Sequence, residues 1–149
     1  MIFFKAMGVN DIRFNYIWPE SRVANDKTVI PRFKDVVPDI LKLILRNERE
    51  NLVRLSFGAV PYCVLPKALQ DQWPLISKYF NEEGLDLPTE VSFLHPDSKG
   101  TVDRFNWHEK GHDEYRGKVA ACRSCRFDPV CMGIYRSYLS LYGEEEFGP

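Results

Sequence analysis

The residues of this sequence best suited to chemistry are its four cysteines. Cys122, Cys125 and Cys131 fall close together, and Cys63 stands apart. A secreted disulfide scaffold spreads its cysteines more evenly and uses more of them. The clustering asks instead for thiolates on a metal centre; two disulfides or four buried thiols are the plainer alternative. Cys122-Arg-Ser-Cys125 is a C-x2-C turn. Two intervening residues let both sulfurs point at one centre, at the ~2.3 Å of a zinc–thiolate bond. Asp128 reads as the N-cap and Pro129 as the first residue of a last helix. Cys131 would then stand at its third position, where the helix dipole and unpaired N–H groups favour a thiolate. Arg123 and Arg126 flank the turn and would offset its charge. Cys63 is the candidate fourth ligand. It follows a strand through Gly58-Ala59-Val60-Pro61-Tyr62, which places it at a carboxyl strand end, where α/β folds keep their sites. Spacing alone leaves zinc and an iron–sulfur cluster both open. His108 and His112 stand four apart, but Gly111 lies between them and the stretch reads as solvated polar surface. His95, before Pro96, reads as a turn residue.

The elements that must position these groups begin as alternating helix and strand. Residues 1–7 look like the last turns of a helix stopped by Gly8, with no capping residue to start it. That opening leads to the expectation of sequence upstream. Residues 11–18 have strand composition and alternation, and a polar loop follows. Asp35 then reads as an N-cap. Phe33, Val36, Val37, Ile40, Leu41 and Ile44 make one apolar helical stripe, with Pro38 expected in the first turn. The helix is expected to fade over residues 46–51. Residues 52–57 form a second strand, so the unit is βαβ and its strands parallel. Beyond, a short helix is expected from Pro74 to Glu83, ended by Gly84, and a hairpin from residues 90–94 and 101–107, turning through 96–100. The last helix carries Cys131, Ile134, Tyr135, Tyr138, Leu139 and Tyr142 on one stripe and stops at Gly143. Residues 144–146, all Glu, read as a solvated tail.

Within the βαβ unit, Arg13 and Asn15 share one strand face, opposite Ile12, Phe14 and Tyr16. Arg54 and Ser56 share the corresponding face of the second strand, opposite Val53, Leu55 and Phe57. An arginine on an enclosed face needs a carboxylate or phosphate partner. Arg13, Asn15, Arg54 and Ser56 are therefore candidate ligand contacts; the alternative is a sheet face wetted by solvent.

Composition sets the limits. The 149 residues amount to about one domain at ~150 residues per domain. Hydrophobic residues at 44% and charged residues at 28% exclude wholesale disorder. A net charge of −1 offers no basic excess for a phosphate backbone, so nucleic acid is not an expected partner. No apolar run approaches the ~20 residues of a membrane span, and the start of the chain does not read as an export signal. The expected setting is reducing and cytoplasmic.

The run Cys122-x2-Cys125-x5-Cys131-x-Gly133, with Tyr138, Tyr142-Gly143 and Glu146-Phe147 behind it, resembles the C-terminal auxiliary-cluster region of radical SAM enzymes of the SPASM/twitch-like group. Gly8-Val9, Ile12-Arg13-Phe14-Asn15, Pro19 and Val60-Pro61-Tyr62-Cys63 resemble the last strands of that family's partial barrel and the lead-in to its auxiliary module. The resemblance implies an α/β fold: final βαβ strands of a partial (β/α) barrel over residues 1–65, then a small cysteine-containing α+β module over 66–149. It implies one auxiliary 4Fe–4S cluster on Cys63, Cys122, Cys125 and Cys131. A full SPASM module has a further cysteine where this chain has Tyr135. The family's SAM-cleaving C-x3-C-x2-C is absent here, so S-adenosylmethionine belongs to the complete enzyme. The implied partners are a missing N-terminal barrel half and a small-molecule or peptide substrate. A non-catalytic, zinc-stabilised binding module and a small electron carrier are the competing readings.

Overall fold

The computed structural model describes residues 1–17, 23–80, 90–94 and 102–148. The chain is mixed α/β with small sheets. Helix α1 (Ile2–Ala6) leads through Gly8, at φ +84°, into β1 (Asp11–Asn15). Helix α2 (Phe33–Glu50) crosses to β2 (Arg54–Gly58). The two strands pair parallel, as the βαβ reading expects, with Ile12 opposite Leu55, Arg13 opposite Ser56 and Phe14 opposite Phe57. Partners across this register share a face, so Arg13, Asn15, Arg54 and Ser56 do lie on one side of the sheet.

Helix α2 forms because its apolar residues recur with the helical period. Phe33, Val37, Ile40 and Ile44 are buried along one side. Each such side chain contributes ~1.5–3 kcal/mol on burial. The helix starts two residues before the expected cap, at Phe33, and Asp35 lies inside its first turn. Pro38 therefore sits in the second turn, where its missing N–H leaves the Lys34 carbonyl without that helical donor. The earlier start has a distant cause. Arg32, at the cap position, contributes no side-chain hydrogen bond. Instead the Phe33 N–H donates to Tyr138 Oη at 3.2 Å, and the Lys34 N–H donates to Glu146 Oε1 at 3.0 Å. The Tyr138 hydroxyl in turn donates to Glu146 Oε2. Tyr16, Phe33, Tyr138 and Phe147 pack around this junction, with ring centroids 4.3 Å apart for Tyr16–Phe33 and 4.7 Å for Phe33–Tyr138. Residues 144–146 are thus not simply a solvated tail: Glu146 caps a helix and Phe147 enters the core.

At its other end α2 runs through the polar stretch to Glu50, and Asn51 closes it in the left-handed conformation (φ 44°). Buried Asn47 explains the length. Its Nδ2 donates to the Val53 carbonyl at 3.0 Å, and its Oδ1 accepts the Val53 N–H at 3.2 Å. Asn47 also donates to Tyr79 Oη at 3.3 Å. Phe14, placed on the apolar face by alternation, is 43% exposed. It lines a groove of about 360 Å³ between the sheet and α2, together with Val36, Ile40 and Phe57.

Helices α3 (Lys67–Gln70) and α4 (Trp73–Phe80) follow, and α4 packs on β2 through Phe80 stacked on Phe57. The expected hairpin is present as β3 (Glu90–Leu94) and β4 (Val102–Asn106), antiparallel, with Val91 opposite Phe105. Its turn, with His95, lies outside the described residues, as do Trp18, Pro19 and the expected end of the short helix at Glu83 and Gly84. Helix α5 (Trp107–Lys110) and a π-helical turn (Gly111–Tyr115) carry the backbone of His108 and His112. Strand β5 (Arg116–Gly117) pairs antiparallel with β6 (Ile134–Tyr135), and α6 (Arg136–Tyr142) ends at Gly143. The buried residues form one core from Tyr16 to Phe147. Among the described residues, no helix is long and apolar enough to cross a membrane.

Burial, then the hydrogen bond to Glu146, raises the Tyr138 phenol above its ordinary range, and burial does the same for Tyr16. Both remain protonated in the fold when an unfolded chain has begun to ionise near ~10. Their contribution is complete below that pH and is lost as pH rises past it. Tyr138→Phe removes both hydrogen bonds of the hydroxyl and is expected to cost ~1–3 kcal/mol in urea denaturation at neutral pH. The same variant should lose less stability than the parent between pH 9 and 11.

Candidate metal centre

Cys63 reaches its position from the carboxyl end of β2. Ala59 turns the chain with a positive φ of 60°, and Cys63 follows on a 3-10 turn over Tyr62–Val64. Gln70 of α3 holds this turn, donating to the carbonyls of Leu65 at 2.7 Å and Cys63 at 3.3 Å. Tyr62 is buried, donates to the Phe80 carbonyl at 3.1 Å, and meets Phe127 edge-on with centroids 5.3 Å apart. That ring contact joins the end of β2 to the cysteine loop, because Phe127 stands two residues after Cys125.

Cys122 lies in the 3-10 turn over Ala120–Ser124 and Cys125 caps it in extended conformation, its N–H bonded to the Cys122 carbonyl at 2.9 Å. Buried Val119 anchors the turn on one side and buried Phe127 on the other. The Cys131 N–H then returns to the Phe127 carbonyl at 2.8 Å. Cys131 itself is not on a helix. The chain turns over residues 126–130, runs irregularly through 131–133, and becomes helical only at Arg136. The cause is Gly133. Its φ is +91°, outside any helix, and a Cβ there would stand 2.6 Å from the Gly117 carbonyl oxygen. The β5–β6 pairing uses the backbone that a longer helix would have needed. The helix-dipole argument for a Cys131 thiolate therefore falls. The sulfur is met instead by the Gly133 N–H at 3.4 Å. Lys118 ties down the same loop, donating to the carbonyls of Cys131 at 2.6 Å and Asp128 at 2.9 Å.

The four cysteines are thus neighbours. All are partly buried against the core and none is tied into a disulfide. Val60, Pro61 and Tyr62 from the β2 side surround a void of about 10 Å³ together with Cys131, Met132 and Gly133. Burial first, then proximity to Cys131, Cys125 and Cys122, push the Cys63 thiol up to about 12. The arrangement is a neighbourhood and not a closed ligand set. Among the described residues, no group of three or more His, Cys, Asp or Glu is gathered closely enough to hold a metal ion. The thiol is the side-chain type that soft metals take, but the four are not gathered into a ligand set.

Arg126 does not turn its charge to the cysteines: it pairs with Asp71 at 2.7 Å and lies over the Phe127 ring. Arg123 is exposed on the C-x2-C turn. The other candidates form a second group on the sheet. Arg13 Nε donates to Asn15 Oδ1 at 2.8 Å, and both side chains lie over Gly58, which leaves no room for a Cβ. Ser56 is buried beside them in the register. Arg54 opens β2 at its amino end, is exposed, and pairs with Asp11 at 3.5 Å. Sequence reasoning missed Lys118, Phe127 and the role of Gly133; only the glycine, two residues after a cysteine, left a local signal.

In the metal-free chain, the raised thiol and its burial make Cys63 a slow nucleophile. Iodoacetamide at pH 8 should alkylate Cys63 at least ~tenfold more slowly in the folded chain than in urea. Peptide mass mapping over time reads the rate. No protein-family profile, curated protein or solved structure matches this chain.

Proposed function

We propose that this chain is the auxiliary-cluster-bearing C-terminal part of a radical SAM enzyme, holding one 4Fe–4S cluster on Cys63, Cys122, Cys125 and Cys131. The observation that supports the reading is that Cys63 lies in the neighbourhood of the three clustered cysteines, brought there by the Tyr62–Phe127 contact from a position far away in sequence. Four thiols drawn from separate turns suit a cluster that is bonded at several irons. The cluster would bind substrate or pass an electron. The cysteines of the SAM-cleaving loop are not in this sequence, so radical generation falls to the remainder of the enzyme.

Two further features support this reading. The Arg13–Asn15 pair over Gly58, toward the carboxyl ends of β1 and β2, suits an anionic group of S-adenosylmethionine or substrate. Helix α1 buries no residue; Phe3 on it is 68% exposed and Met7 just after it 66%. A two-stranded parallel sheet is seldom complete by itself. Such a surface suits packing against further strand–helix units of a partial barrel.

Anaerobic reconstitution with iron and sulfide tests the proposal. The expected product is brown, absorbs broadly near ~400 nm, and holds about four irons per chain. Serine at Cys122, Cys125 or Cys131 should remove most of that iron. Full iron in Cys63→Ser would take Cys63 out of the ligand set. A colourless protein with tightly held zinc and no iron uptake would point to the zinc-stabilised binding module instead. In the complete enzyme, Arg13→Ala should weaken S-adenosylmethionine or substrate binding by about tenfold, roughly one charged hydrogen bond.

A further inference from the structure

A second polar region lies at the amino ends of β1 and β2, away from the Arg13–Asn15 pair. Here α1, β2 and α4 each bring one cation to a single cavity of about 420 Å³: Lys5, Arg54 and Lys78. Asn10 and Asn51 add carboxamides to the lining, and Leu52 adds an apolar patch. Among the described residues, no Asp or Glu lines the cavity. The three cations come from distant parts of the sequence, so tertiary packing gathers them and not a local basic run.

Such a gathering is unfavourable by itself, because like charges around one cavity repel. Neighbouring carboxylates offset it only in part. Arg54 pairs with Asp11 at 3.5 Å, and Lys78 pairs with Glu48 at 2.5 Å. Lys5 Nζ donates to the Asn51 carbonyl at 3.5 Å. Three cations less two carboxylates leave one positive charge in excess. The carboxyl end of α2 also meets the cavity, and its dipole opposes an anion; that effect is confined to the last turn, where Lys5 already covers a carbonyl. A cleft lined by cations and closed to carboxylates concentrates anions. Its backbone is fixed beforehand. The Arg54 N–H donates to the Asn10 carbonyl at 2.7 Å, and buried Asn47 holds Val53 by both polar atoms. A ligand therefore orders only the ends of three side chains on arrival.

We infer that this cavity binds the phosphate group of a phosphorylated small molecule, with Lys5, Arg54 and Lys78 as its contacts. A phosphate group carries roughly −1.5 to −2 charge and presents several acceptor oxygens in a tetrahedron. Cations arriving from three elements can each take one of them. A carboxylate offers one charge and two oxygens in a plane, which leaves a cation unused. The volume of about 420 Å³ is that of a small-molecule site. It leaves room beyond the phosphate for a polar body against Asn10 and Asn51. The site involves none of the cysteines and stands apart from the cluster reading.

Inorganic phosphate is the first probe. Amide proton–nitrogen spectra of the full chain are followed as phosphate replaces chloride at constant ionic strength. Saturable shifts should centre on Lys5, Asn10, residues 51–55 and Lys78, with a dissociation constant near ~1 mM. Arg54→Gln and Lys5→Gln should each weaken binding about tenfold, the loss of one charge-assisted contact. Lys42→Gln, which removes an exposed cation of α2 paired with Asp39, should stay within about twofold of the parent. Acetate should give no saturable shift. Ribose 5-phosphate should bind more tightly than inorganic phosphate, since its body reaches the carboxamides. Shifts that do not saturate, that centre elsewhere, or that keep the parent's affinity in Arg54→Gln and Lys5→Gln overturn the site. Acetate binding as well as phosphate overturns the choice of phosphate. Ribose 5-phosphate binding more weakly than inorganic phosphate overturns the small-molecule occupant. The substituted side chains are exposed, so the fold is kept; should a variant fail to fold, the titration of the parent decides.

Discussion

The amino end of α2 is satisfied from the far end of the chain. Phe33 and Lys34 present N–H groups that a helix cannot pair internally, and Tyr138 with Glu146 receives them. An unpaired buried N–H costs ~1–3 kcal/mol, so α2 and α6 hold each other in place. The neighbouring tyrosines repeat the pattern. Tyr142 donates to the Ile30 carbonyl at 2.7 Å, and Tyr16 donates to that of Pro31. The segment leading into α2 is therefore fixed by hydroxyls from β1's extension and from α6. The cysteine loop lies in sequence between the two helices joined in this way.

Much of the first half was legible in the sequence because its signals are local. The helical period of Phe33, Val37, Ile40 and Ile44 and the alternation of Ile12 to Tyr16 each concern residues within a few positions of one another. The parallel pairing followed from the amphipathic helix between the two strands. The start of α2 was not legible, because its cap comes from a residue 112 positions away. Glu146 was misread for the same reason: three consecutive glutamates look solvated until one of them meets two N–H and O–H donors at a helix end.

The candidate site divides along the same line. The C-x2-C turn is local, and it forms as a turn. The fate of Cys131 was hidden because Asp128-Pro129 is a sound helix start in isolation, while β5 pairs with the backbone at 134–135. A two-residue strand pair leaves no periodic signature. The approach of Cys63 depends on the rings of Tyr62 and Phe127, 65 positions apart by number. Residue types told which side chains are thiols; only tertiary packing told which of them are neighbours.

Asn47 bonds both polar atoms of Val53, as a neighbouring strand would. One carboxamide thereby does the work of a missing ladder rung at the entry to β2, and it counts residues as it does so. A slip of the strand by one position would break both bonds and exchange the two faces of the sheet. Leu55 and Phe57 would turn outward, and Ser56 would be driven against α2. Which side of the sheet carries Arg13, Asn15 and Ser56 is therefore written into a side chain that lies on another element altogether.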